Sequence, residues 1–166
     1  MAFLLLRPPT GSGTPPNLFV DTLPAVSSAS DVESLEDSTV FDLRHWASMR
    51  DSAGTHVRMY NRTRYRKLAA VDSLVVHYAT GGTGITFTCP GQLTCESRTQ
   101  RARDPLGERN YAVVHHIREV GVGEEFDVFV DADYVNGFRS ATDEAAATYT
   151  SAGADPGDRV TLTLLF

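Results

Sequence analysis

The chain has 166 residues, 42% of them hydrophobic and 22% charged, with a formal net charge of -6. That balance fits one globular domain able to bury roughly two-thirds of its unfolded surface, and it excludes a disordered chain and a generic polyanion binder. No apolar run approaches the ~20 residues of a membrane-spanning helix, and the short MAFLLL start, cut off by Arg7-Pro8-Pro9, reads as no signal peptide.

Residues 1–38 read as an extended, acidic arm. PPTGSGTPP (8–16) and SSASDVESLEDS (27–38) are too rich in Pro, Gly and Ser for a helix or a ladder, with apolar anchors only at Leu18 to Val20 and Leu23. Such a segment follows other surfaces and forms no core of its own. One helical turn is expected at Asp31 to Glu36. Residues 39–166 read as a β-sandwich domain. Val40 to Trp46 and Thr55 to Tyr60 alternate as strands, and the valines of Leu68 to Tyr78 favour a third. Gly81 to Gly84 (GGTG) predicts a hairpin turn into Ile85 to Cys89. Residues 90–110 read as a polar loop.

Tyr111 to Asp131 is the most regular stretch. It predicts two paired strands, Tyr111 to Ile117 and Phe126 to Asp131, joined by a turn at Gly121 to Glu125. Asp133 to Ala147 is the one helical candidate, and Val160 to Phe166 closes the chain as a strand. The expected fold class is all-β: an antiparallel sandwich or barrel of seven or eight strands.

The residues that carry chemistry are few. Cys89 and Cys95, separated by PGQLT, can close a small loop, but they read as free thiols, and without paired CxxC motifs they suggest no zinc site. His115 and His116 are adjacent on a strand, so their rings point to opposite faces and cannot share a metal; a partner such as His56 or His77 would be needed. Asp131 and Asp133 stand at i and i+2, a spacing that can share a divalent cation. An interfacial Ca²⁺ held there with Glu124 or Glu125 competes with a plain solvated strand end. GGTG lacks the lysine of a phosphate loop, no nucleophile elbow occurs, and the chain reads as a non-enzyme.

Charge is unevenly placed. Arg7 alone faces six acids in residues 1–43, whereas residues 44–67 carry seven cations against Asp51. Within NRTRYRK (61–67), Arg62, Arg64, Arg66 and Lys67 can neutralise phosphates, and Arg98, Arg101 and Arg103 on a second loop would extend a basic surface if both loops share one end. The competing reading is an ordinary solvated loop.

In order and spacing these segments resemble the coat proteins of small icosahedral positive-strand RNA viruses, in particular the tymovirus-like group. VFDL (40–43), THVRMY (55–60), the Tyr65-Arg66 step into LAAVDSLVVHY, ITFTCP (85–90), NYAVVHHI (110–117), EFDVFVDADYV (125–135) and VTLTLLF follow in matching order over residues 40–166. The resemblance implies an eight-stranded antiparallel jelly-roll sandwich with an extended N-terminal arm. It further implies a capsid protein that assembles with itself into a shell around RNA, in a virion built in the host cytoplasm, with no membrane and no catalytic activity. RNA contact would be non-specific. Two other readings stand beside it: a β-sandwich binding module for carbohydrate or protein, and a metal-dependent β-barrel enzyme using His56, His77, His115 or His116.

Overall fold

A computed structural model describes residues 14–44, 56–137 and 159–165. Among these residues nine strands form two facing sheets and almost no helix. They are β1 (Asn17–Val20), β2 (Val32–Asp42), β3 (His56–Lys67), β4 (Ser73–Thr80), β5 (Gly84–Thr88), β6 (Cys95–Gln100), β7 (Arg109–His116), β8 (Glu125–Val135) and β9 (Arg159–Leu165). One sheet has the order β1-β6-β7-β4 and the other β5-β8-β3-β2-β9. The all-β expectation holds. The all-antiparallel one does not, because β1 pairs parallel with β6 and β2 parallel with β9.

Several boundaries move. The segment read as an arm without ladders supplies β1, paired with β6, and the start of β2 at Val32, where a helical turn was expected. The alternation of β2 is disguised twice: the inward positions Asp37 and Thr39 are polar, and a bulge between Ser34 and Glu36 shifts the period. NRTRYRK is no loop. It is the second half of β3, with Asn61, Thr63, Tyr65 and Lys67 facing in and Arg62, Arg64 and Arg66 facing out. β6 lies within the supposed 90–110 loop, its inward residues being the small polar Ser97 and Thr99. Asp133 to Val135 end β8, Asn136 and Gly137 follow as a bend, and residues 138–147 of the expected helix lie outside the described residues.

The expected hairpins are crossings between sheets. β7 and β8 do not pair: β7 lies between β6 and β4, and β8 between β5 and β3. The Gly81–Gly84 turn likewise carries the chain from β4 in one sheet to β5 in the other. At this crossing Gly82 is packed flat on the end of β8. A Cβ there would lie 2.5 Å from the Val135 carbonyl oxygen and 2.7 Å from Asn136 backbone atoms. Gly82→Ala therefore forces the crossing off β8, with an expected loss of about 1–3 kcal/mol, read as a lower urea midpoint.

The core lies between the sheets. Val57, Met59, Val128, Val130, Ala132, Ile85 and Phe87 from one sheet meet Leu74, Tyr111 and Val113 from the other. The Phe87 ring stands edge-on to Tyr111, centroids 5.6 Å apart, and the Tyr111 hydroxyl accepts from the Ile85 N–H at 3.1 Å, tying the sheets together. A smaller cluster, Val75, Ala112 and Val114, covers the back of the four-stranded sheet. Leu23 packs on it. Residues 21–31 thus cross that face from the β1 edge to the β4 edge, where Ser27 N–H donates to the Val75 carbonyl (3.3 Å) and the His77 ring meets the Pro24 carbonyl (2.7 Å). This part of the arm follows a surface, as expected, but the surface is its own domain.

Candidate functional site

The seven cations do not converge. On the outer face of the five-stranded sheet, β3 arginines stand between acids of β2 and β8. Arg66 pairs with Glu33 (3.0 Å) and Glu125 (2.7 Å), and Arg64 with Asp127 (3.4 Å) and Glu36 (3.9 Å). Arg62 reaches Asp127 (3.2 Å) and lies 5.8 Å over the Phe129 ring. The Glu125 hydrogen bond, then Glu33, holds the Arg66 pKa above its ordinary value. Among the described side chains this face sets seven carboxylates (Glu33, Glu36, Asp42, Glu125, Asp127, Asp131 and Asp133) beside the guanidinium groups of Arg58, Arg62, Arg64 and Arg66, and Arg44 bonds Asp42. Because these pairs are solvent-facing, Arg64→Gln is expected to cost less than about 1 kcal/mol in a urea titration.

The other cations lie elsewhere. Lys67 is buried, its ammonium donating to the carbonyls of Ile117 (2.9 Å) and Val120 (2.8 Å). Arg98 is bonded to Glu96 on β6 of the other sheet, and Arg101 reaches Asp21 at 3.2 Å. Arg103 donates to the Gly82 carbonyl (2.9 Å) beside Val135. Arg66 pairs with Glu125 at the opposite end of β8, so Arg103 and Arg66 are separated by roughly 30 Å of strand, and Arg98 belongs to the other sheet. The condition for a shared basic surface is not met.

Asp131 and Asp133 share the outer face of β8, with Asp133 opposite Arg58. The Arg58 pKa is raised, first by Tyr60 and then by Asp133 and Asp42. Glu124 and Glu125, proposed as fellow Ca²⁺ ligands, sit at the far end of the strand. Glu124 accepts from the Gly121 N–H (2.8 Å) and Glu125 pairs with Arg66. They cannot complete a site with Asp131 and Asp133.

What the fold does bring together is the other end of β8. Cys89 follows β5 in one sheet and Cys95 opens β6 in the other, and the two are disulfide-bonded, not free thiols. The bridge closes the loop 90–94 and staples the sheets. In register with Cys95 stands His115, only 1% exposed, with a ring nitrogen within 4.8 Å of both sulfurs and its Nε2 buried without a hydrogen-bond partner. Burial, then the neighbouring His116, pushes the His115 pKa down to about 4. His116 points outward as predicted and is exposed.

Above this cluster lies an open groove of about 820 Å³. One wall is the disulfide loop, Gly91 to Thr94, and the other is the β7–β8 crossing, Arg118 to Val120 with Glu124. Lys67 pins that second wall: besides its ammonium bonds, its backbone N–H donates to Glu124 (3.0 Å) and its carbonyl accepts from Gly123 (2.7 Å). Leu93, Val120, Phe126 and Phe129 supply apolar surface, and Gln92, Thr94, His116, Glu119 and Asp127 supply polar groups. The groove suits a ligand with an apolar body and hydroxyl or cationic groups. Sequence reading missed it because each wall comes from a crossing between sheets.

The fold and this end of it define a β-sandwich domain with a covalently stapled, groove-bearing rim. Compared with family models, curated proteins and solved structures, the chain matches none.

Proposed function

We propose that this chain is a non-catalytic, self-assembling structural subunit of the viral coat type, built on a rolled hairpin related to the jelly roll. The observation that carries the reading is the nesting of strand pairs. β2 pairs with β9, β3 with β8 and β4 with β7, and the short Cys89–Cys95 loop between β5 and β6 forms the tip. The β3–β8 and β4–β7 ladders are two lengths of one antiparallel hairpin, offset by two residues where the chain crosses between sheets. Rolling such a hairpin is what generates a jelly roll, a fold used by capsid and lectin domains. The parallel β2–β9 pair departs from that pattern, and fold by itself does not assign function.

Assembly is supported by the edge of the four-stranded sheet. β1 is held by β6 alone among the described strands, with Leu18 46% and Phe19 53% exposed. An apolar edge strand is a template for another chain. Any RNA contact would be non-specific, inside a virion assembled in the host cytoplasm.

The experiment is sedimentation with negative-stain imaging of the full chain, with and without nuclease. Megadalton shells with protected RNA are expected, and a double Leu18→Asp, Phe19→Asp variant should stay folded by circular dichroism while losing assembly. A stable monomer at micromolar concentration across pH and salt would overturn the reading. The groove favours a second reading, a carbohydrate- or protein-binding module, and glycan-array binding by a monomer would support that one instead.

A further inference from the structure

We propose that reduction of the Cys89–Cys95 bridge turns the inter-sheet staple into a Cys2His site for Zn²⁺, with His115 as third ligand. The inference is independent of the coat-protein reading. Three observations carry it. Cys89, Cys95 and His115 place one ligand atom each within 4.8 Å of one another, the only such His/Cys/Asp/Glu group among the described residues. They come from both sheets, Cys89 after β5 and Cys95 and His115 facing each other on β6 and β7, so the fold holds them in place before any metal arrives. The buried Nε2 of His115 has no hydrogen-bond partner, an unsatisfied polar atom in the interior that metal ligation would resolve.

Charge selects the metal. A dithiol reductant transfers two electrons and two protons to the disulfide, giving two cysteine thiols and its own cyclic disulfide. Zn²⁺ then displaces both thiol protons to solvent. Two thiolates, one neutral imidazole and Zn²⁺ sum to zero, whereas a cuprous ion in the same place leaves a net negative charge in a buried site. Cys2His with one remaining position for water is an established zinc donor set. The spacing of the cysteines gives no hint of the site, because the third ligand comes from β7, twenty residues beyond Cys95.

The test uses the full chain, reduced anaerobically with a dithiol, desalted, and titrated with Zn²⁺ against a chromophoric chelator. One Zn²⁺ per reduced chain is expected, and essentially none for the oxidised chain. His115→Leu, with both cysteines intact, should weaken Zn²⁺ binding by at least about tenfold, the smallest loss produced even by removing an outer-sphere partner. Co²⁺ in place of Zn²⁺ should give the thiolate charge-transfer band and intense d–d bands of a tetrahedral site. If the reduced chain unfolds, Zn²⁺ should restore its circular dichroism. Failure of the reduced chain to take up Zn²⁺, or uptake unchanged in His115→Leu, would overturn the proposal.

Discussion

Lys67→Ala is expected to lower stability by about 4 kcal/mol, the largest single-residue effect proposed for this chain. The side chain is 4% exposed and its ammonium satisfies the carbonyls of Ile117 and Val120. Truncation removes roughly 2–3 kcal/mol of buried methylene stem and leaves two carbonyls short of a donor, at about 1 kcal/mol or more each. Lys67→Met restores the stem without the donor and should recover about half of the loss. Urea midpoints at constant m-value give both numbers. A Lys67→Ala midpoint within about 1 kcal/mol of wild type would mean that water replaces the ammonium and that Lys67 does not pin the groove wall. The same variants separate the two roles considered for this residue. A phosphate-binding lysine would lower the salt slope of RNA binding by about one and leave stability alone.

The second large effect is acid destabilisation through His115. In the disulfide-bonded protein its ring is buried and its pKa is pushed from 6.5 down to about 4, first by burial and then by His116. The unfolded chain therefore takes up a proton near pH 6.5 that the folded chain refuses until about pH 4. Above pH 6.5 neither state is protonated and the group contributes no pH dependence. Between pH 6.5 and 4 stability falls as pH falls, by up to about 1.4 kcal/mol per unit and about 3 kcal/mol in all, and below pH 4 the loss levels off. Urea midpoints of wild type and His115→Leu, measured from pH 7.5 to 4, isolate this term. Carboxylates such as Asp72, whose pKa Arg118 holds low, titrate alike in both proteins and cancel in the difference. A difference that stays constant with pH would mean that folded His115 protonates as freely as it does in the unfolded chain.

Strand content was legible wherever apolar residues mark a face. The run Tyr111 to Val114 was the clearest signal, and the reason is now visible: β7 is covered inside by the core and outside by Leu23, so both of its faces are apolar. Strands with polar interiors were not legible. In β6 the inward residues are Ser97 and Thr99, and in β2 Asp37 accepts from Thr39 (3.0 Å), Asn61 (3.1 Å) and Thr63 (2.6 Å) inside the sandwich. Hydropathy periodicity has no means of registering a buried polar residue whose partners arrive from another strand. The arginines of NRTRYRK misled for the same reason, since the acids that neutralise them are 28 to 65 residues away in sequence and meet them only across the ladder.

Sequence alone determined the all-β class and the opposed faces of His115 and His116. These follow from period, composition and backbone geometry, which are local. Tertiary structure decided the rest: which strands pair, that β7 and β8 lie in different sheets, and that Cys89 and Cys95 bond beside His115. A strand's alternation states which side is buried but not which edge it meets. Edges are chosen by how one long hairpin rolls, and that rolling brings residues 89, 95 and 115 to one point and parts the arginines of β3 from those after β6.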